Sequence, residues 1–168
     1  MKIFLSVGTQ KFPFDRMIIL VDDLYDVIPD IEVFGQIGTS TIHPKHFNYS
    51  DYLESDAFEE RIRWSDIVLT HGGVGTIIKS LNHGKRIIVI PRLEKYGEHV
   101  DDHQVQIAHS FEEMNYIVTY KENDSLHDLI IQAMSMEFSG YKTNRAHVID
   151  VINSYVRKES FMIDDVGR

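Results

Sequence analysis

The stretch Thr70-His71-Gly72-Gly73-Val74-Gly75-Thr76 carries residue types that can hold an anion. It follows an apolar, strand-like run, Ile67-Val68-Leu69, and leads into Ile77, Ile78 and Leu81, whose helical spacing ends at Gly84. Glycines let the backbone approach a ligand closely, and the unpaired N–H groups of a first helical turn point toward it. Further along, Tyr96-Gly97-Glu98-His99-Val100-Asp101-Asp102-His103-Gln104 reads as a polar loop rich in groups that hydrogen-bond sugar hydroxyls. A phosphate cradle followed by a polyol-reading loop points to a nucleotide-sugar site.

Other phosphate motifs fit less well. No Gly-Lys-Ser/Thr follows the turn, so it is not a P-loop. The dinucleotide fingerprint would need a further glycine where Ile78 stands, and it would follow the first strand rather than fall mid-chain. An NAD-binding domain is therefore disfavoured.

The elements that must position these residues alternate along the chain. Ile3 to Val7 reads as a buried strand closed by Gly8-Thr9. Phe14, Met17, Ile18, Val21, Leu24 and Ile28 repeat at helical spacing, and Pro29 ends that helix. Ile31 to Gly35 is a second strand. Gln36 to Asp51 is mostly loop, with a short edge strand expected near Thr41-His43. Asp56 to Trp64 is a short helix and Ile67 to Thr70 a strand. Arg86 to Ile90 is another strand, closed by Pro91. Ile107, Ala108, Phe111 and Met114 mark a helix, and Tyr116 to Tyr120 the last strand. Leu126 to Met134 and Val148 to Val156 make two more helices, the last apolar on more than one side and a candidate for partner contact. Such alternation predicts an α/β fold, a doubly wound parallel sheet covered on both faces. The domain is expected to run over residues 1–158, with 159–168 a frayed tail. In such sheets ligands sit beyond the carboxyl ends of the strands. There the turns Gly8-Thr9-Gln10-Lys11, Gln36-Ile37-Gly38-Thr39 and His71-Gly72-Gly73 converge with the loop from Arg92 to Gln104.

Composition narrows the class further. With 168 residues and 43% apolar content, the chain has material for one real core. Without cysteine, neither a disulfide framework nor a thiolate metal site is possible, which fits a reducing cytoplasm. The first residues read as a strand rather than a signal peptide, and no apolar run approaches the roughly 18 residues of a membrane span. A formal charge of −9 argues against nucleic acid or an anionic bilayer as main partner. An anionic ligand must then be held by local backbone dipoles and a few cations.

The ordered set His71-Gly72-Gly73-Val74-Gly75-Thr76, Ile90-Pro91-Arg92 and Asp102-His103-Gln104 resembles the carboxyl-terminal domain of glycosyltransferase family 28. Val7-Gly8-Thr9 and Lys95-Tyr96-Gly97-Glu98-His99 are similar to the single-domain subunits of bipartite transferases. These include the PssE-like and capsular β-1,4-galactosyltransferase subunits and the eukaryotic subunit that adds N-acetylglucosamine to a dolichol-linked sugar. The resemblance runs from about Met1 to Tyr120. It implies a Rossmann-like, donor-binding half of a GT-B fold and a membrane-anchored, PssD-like partner that binds the acceptor. The implied reaction is an inverting transfer of a hexose, galactose or glucuronate, from a UDP-sugar to a lipid-linked saccharide in capsule or exopolysaccharide synthesis. The chain would work at the inner face of the plasma membrane through its partner. A non-catalytic subunit that supports a partner transferase is the alternative.

By the same resemblance, Gly72, Gly73, Val74, Gly75 and Thr76 match the diphosphate-binding turn. Gly8 and Thr9 match the first glycine turn, and Asp101, Asp102 and Gln104 match contacts to donor-sugar hydroxyls. The segment from Tyr49 to Phe58 lies where the family forms the base pocket. Many members carry a ribose-binding glutamate at the position of Lys79, so either the ribose is held differently here or Lys79 pairs with a phosphate. No metal or other cofactor is expected, because the helix dipole takes that place. Although His99 and His103 stand four apart, the stretch between them reads as loop. His71, Glu98 and His99 are the candidates for a general base on this chain. His71 could instead orient the glycine turn, and the base could come from the partner.

Overall fold

The computed structural model describes residues 1–141. Among them, β1 (Lys2–Ser6), β2 (Glu32–Gln36), β3 (Asn48–Ser50), β4 (Ile67–Thr70), β5 (Arg86–Val89) and β6 (Val118–Thr119) form one sheet. The strand order is β3-β2-β1-β4-β5-β6 and every pairing is parallel. Helices α1 (Asp15–Asp22), α2 (Ser55–Trp64), α3 (Val74–Asn82), α4 (His103–Glu113) and α5 (Leu126–Ser135) cover it. The expected doubly wound α/β architecture is what the chain adopts. The helix expected at Val148 to Val156, its partner contact and the tail lie outside the described residues.

Strand side chains alternate between the two faces, and both faces are dry. Ile3, Leu5, Ile67, Leu69 and Ile88 join Met17, Ile18 and Val21 of α1 and Leu126, Ile130 and Ala133 of α5. On the opposite face Phe4 and Val68 meet Phe58 and Ile62 of α2, with Phe4 and Phe58 edge to face at 5.1 Å. Ile87 and Val89 meet Ile77 and Leu81 of α3 and Ile107, Ala108 and Phe111 of α4. Each of the larger of these side chains, valine to phenylalanine, contributes about 1.5–3 kcal/mol through burial. The central strands can therefore be short and still hold.

Three local expectations needed correction. The helix expected from Phe14 to Ile28 divides into α1 and a tighter turn at Asp23–Asp26. The edge strand expected at Thr41-His43 forms instead at Asn48–Ser50. Carboxylates are the reason, because they satisfy the backbone donors that a strand would have used. Asp15 accepts from the N–H groups of Thr41 and Ile42, and Asp22 from those of Lys45 and His46. Finally, α4 begins at His103, a turn before its apolar pattern, so His103 and Gln104 are helical rather than loop.

The strand order reverses direction between β1 and β4, whose last paired residues are Ser6 and Thr70. A crevice must open there, because the connections leave β1 and β4 toward opposite sides. One side chain spans the loops around it. Arg92, just past β5, is 0% exposed. Its Nη1 donates to the carbonyls of Phe12 (2.9 Å), Pro13 (3.2 Å) and Glu98 (3.0 Å), and its Nη2 to that of Val7 (2.8 Å). The guanidinium also lies 4.6 Å from the centre of the Phe14 ring. Burial lowers its pKa to about 10, with Glu98 acting in the opposite sense, so it stays charged at neutral pH.

Removing that charge leaves several carbonyls without a donor in a dry interior. Arg92→Met is expected to cost about 3–5 kcal/mol in urea unfolding at constant slope. Arg92→Lys, which keeps the charge and loses the planar fork, should lose less. A cost below about 1 kcal/mol for the methionine variant would show that these loops hold without the clamp.

Candidate functional site

The turn after β4 is built around an imidazole. His71 is 7% exposed, with Nδ1 3.2 Å from the Thr70 hydroxyl, which lies 3.1 Å from the Ser6 carbonyl. A hydroxyl has one proton to donate. Given to the Ser6 carbonyl, it leaves the Thr70 oxygen to accept from Nδ1–H, and Nε2 then bears the lone pair. Burial first, then the nearby Arg92 charge, lowers the His71 pKa to about 4. The ring is neutral at pH 7.

The glycines sort by what a side chain would meet. A Cβ on Gly73 would come within 2.3 Å of His71 Nε2, and one on Gly8 within 2.4 Å of the ring. Gly8 also sits at φ +81°, a left-handed conformation that suits glycine. These two residues make room for the imidazole. Gly72 is pressed by α4, where a Cβ would lie 2.6 Å from that of Gln104. At Gly75 a Cβ would meet nothing within 4 Å. Gly75 alone in the turn offers open space to an incoming group.

A cavity of about 470 Å³ opens at the switch point. It is lined by Gly8, Thr9, His71, Gly73, Gly75 and Thr76 from the predicted set, together with Ser6, Gln36, Phe58 and Lys79. No side chain caps the start of α3. Its first N–H groups, which have no partner within the helix, therefore gain none from a capping side chain, and its positive end meets the cavity wall. Lys79, one turn further on, adds a cation, and its Nζ rests 5.6 Å from the centre of the Phe58 ring. The lining also reaches Leu53, Ser55 and Phe58, within the segment expected to form a base pocket.

Other predicted residues sit elsewhere. Val74 packs its side chain against the α3–α4 core. The Gly72 N–H is already committed, donating to Gln104 Oε1 at 2.9 Å. Gln104 is 3% exposed, and the same oxygen accepts from the Arg92 N–H at 3.2 Å. Its visible role is to brace the turn from behind, not to face a sugar. Glu98 is similarly committed: Oε1 accepts from Arg16 Nε at 2.9 Å, and Oε2 from Arg16 Nη2 at 2.8 Å and Leu93 N at 3.0 Å. A carboxylate so engaged is a brace rather than a base. Asp102 accepts from the Glu94 N–H at 2.8 Å and lines a separate, larger cavity of about 960 Å³ beside α4. His99 and Asp101 line neither of these two cavities. Gln36 had no assigned role in the sequence. It is buried, with Nε2 donating to the Gly8 carbonyl at 3.3 Å and Oε1 accepting from Leu53 N at 3.1 Å. Its place in one of the turns expected to converge at the carboxyl edge was the available signal.

A family model described as "Glycosyltransferase family 28 C-terminal domain" matches residues 2–156. Among curated proteins, the chain is similar to the UDP-N-acetylglucosamine transferase subunit ALG13 of Homo sapiens, 31% identical over 117 residues, 63% of this chain and 10% of that protein. It is also similar to the subunit of that name from Candida albicans, 36% identical over 91 residues, 54% of this chain and 28% of that protein. The matched part thus spans about a tenth of the human relative and just over a quarter of the fungal one. Among solved structures, the glycotransferase of kitacinnamycin aligns at TM-score 0.63 and 16% identity, over 80% of this chain and 35% of that one. SnogD from Streptomyces nogalater aligns at 0.57 and 13%, with the same coverage of each. At those identities the likeness is one of fold.

The His71 environment has a pH signature. Its folded pKa, about 4, lies below the ordinary 6.5, so the unfolded chain takes up the proton first as pH falls. The associated stability is present above pH 6.5 and is lost progressively down to about pH 4, on the order of 3 kcal/mol in all. Urea midpoints across that window should fall more steeply for the wild type than for His71→Asn. Parallel curves would mean that the ring is not buried as described.

Proposed function

The chain belongs to the glycosyltransferase family 28 C-terminal domain family, and from that premise we propose that it is the donor-binding subunit of a two-component, inverting UDP-sugar transferase. One observation carries this reading. The uncapped N-terminus of α3 opens with Gly75, Thr76 and Lys79 onto a cavity at the switch point of the sheet. The diphosphate sits against the N–H groups of that first turn and the Thr76 hydroxyl, with Lys79 as the paired cation. A helix terminus stabilises charge that builds on the leaving diphosphate, a role on the order of a few kcal/mol. No metal is needed at that point, and Lys79 takes the place of a ribose-binding glutamate.

In the reaction an acceptor hydroxyl oxygen bonds to the anomeric carbon as the bond from that carbon to the UDP oxygen breaks. The hydroxyl proton goes to a base and UDP departs. His71 is the base on this chain, because it is neutral at pH 7, lines the cavity and is held by Thr70 with Nε2 unprotonated. The acceptor wall comes from a second, membrane-anchored chain, PssD-like in the sense that it holds a lipid-linked saccharide. The subunit thereby works at the cytoplasmic face of the membrane. The names of the curated relatives favour N-acetylglucosamine as the sugar. The resemblance to capsular and exopolysaccharide subunits favours galactose or glucuronate.

Calorimetry with UDP and with the three UDP-sugars tests the reading. Gly75→Val keeps the fold, since its side chain enters open space, and should weaken UDP binding at least about tenfold, a change of 1.4 kcal/mol. Gly73→Val is a less clean test, because its side chain strikes His71. His71→Asn should hold UDP within a few-fold and slow transfer with the partner by about 10²–10⁴. Unchanged UDP affinity in Gly75→Val would remove the diphosphate from α3. Equal losses of UDP affinity and turnover in His71→Asn would make the imidazole a phosphate contact.

A further inference from the structure

The segment expected to read sugar hydroxyls gathers a different set of atoms. Asp101 Oδ1 contacts His103 Nδ1 and lies 3.2 Å from His99 Nδ1. The two imidazoles stand edge to face with centroids 4.5 Å apart. The three candidate ligand atoms all lie within 4.8 Å of one another, the one such trio of histidine and acidic residues among those described.

A second feature separates this trio from an ordinary His–Asp pair. The His99 side chain is 8% exposed, and its Nδ1 is buried without a hydrogen bond, although Asp101 Oδ1 is within reach. The oxygen is near enough but off the direction in which that nitrogen bonds. For the His99–Asp101 pair, the 3.2 Å separation matches tetrahedral coordination, in which ligand atoms sit about 3.3 Å apart and each lone pair points at the ion rather than at its neighbour.

The backbone under the trio is also held. Arg92 Nη1 donates to the carbonyl of Glu98, next to His99, and Asp102 accepts from Glu94 N. His103 opens α4, with its N–H on Asp101 Oδ1 at 3.1 Å. The ligands thus come from a braced loop and a helix start. Asp101 and His103 are partly exposed, which leaves an entry path. The chain's formal charge of −9 also favours a cation over an anion here.

We propose that His99, Asp101 and His103 bind one zinc-class divalent cation, with water in the fourth position. Two imidazoles and one carboxylate suit Zn²⁺ or Co²⁺, whereas Mg²⁺ and Ca²⁺ favour all-oxygen sets. The ion replaces the Asp101–His103 contact and locks the loop against the start of α4. This revises the expectation that no metal is bound. It does not depend on the donor site, since none of the three residues lines that cavity.

The full chain, stripped with chelator, is titrated with ZnCl₂ at neutral pH by calorimetry. The expected result is one site of micromolar affinity or tighter, weakened at least about tenfold in Asp101→Asn and in His103→Ala. His109→Ala, which removes an exposed histidine paired with Glu113 at 3.4 Å, should leave it unchanged. Co²⁺ should give the visible absorption of a tetrahedral N/O site in the wild type, a readout that needs no variant to fold. Overturning results are a lack of saturable one-to-one binding, Zn²⁺ affinity that survives both substitutions, or a Co²⁺ spectrum of the hexa-aqua ion.

Discussion

The buried charge of Arg92 is the constraint on which the rest of this architecture depends. A guanidinium taken wholly out of water is tolerable only if its protons find acceptors in a suitable geometry. Here the acceptors are carbonyls of the loop after β1 and of the loop after β5. Those loops flank the switch-point crevice from both sides of β4. Satisfying one charge therefore fixes the distance between two walls, and neither loop can move without leaving that charge poorly solvated.

Other buried polar side chains repeat the device. Gln36 ties the Gly8 carbonyl to the N–H of Leu53, and Gln104 ties the N–H of Gly72 to that of Arg92. Glu98 joins Arg16 to the start of the loop at Leu93. Gln36 forms part of the cavity wall while Gln104 and Glu98 lie behind it, and all three are buried and engaged with backbone. Loops that carry function are otherwise the mobile parts of a fold. A network of hydrogen-bonded buried groups holds these to one geometry and leaves the α3 N-terminus open to the cavity.

The imidazole of His71 shows the same economy at atomic scale. Gly8 and Gly73 lack the Cβ atoms that would collide with it, so two glycines from the turns after β1 and β4 define one ring position. Thr70 then constrains its tautomer through the carbonyl of Ser6, the residue it faces across the β1–β4 pair. A neutral ring at pH 7 follows from burial and from the Arg92 charge. The charge that organises the loops thus also sets the protonation of the group at their centre.

By itself, the sequence determined the alternation of strands and helices, the parallel sheet and the edge at which its polar turns gather around a cavity. These follow from local patterns: apolar runs such as Ile67-Val68-Leu69, glycine at Gly8 and Gly73, and proline after β5. Chain-local chemistry also marked Gly75 and Thr76, because a glycine turn that opens a helix exposes N–H groups whatever surrounds it. Only the tertiary structure decided which polar residues face the crevice. Gln104 reads as a sugar contact and Glu98 as a candidate base in one dimension. Yet Gln104 is engaged by the Gly72 backbone and Glu98 by Arg16, both from distant segments, while Asp102 accepts from Glu94 N within its own loop. Long-range contact also put β3 at Asn48–Ser50, where the carboxylates of Asp15 and Asp22 had already satisfied the donors upstream. Whether a polar side chain serves a ligand or the fold depends on what lies across the space in front of it. That partner comes from another part of the chain, so the local spacing of residues cannot encode it.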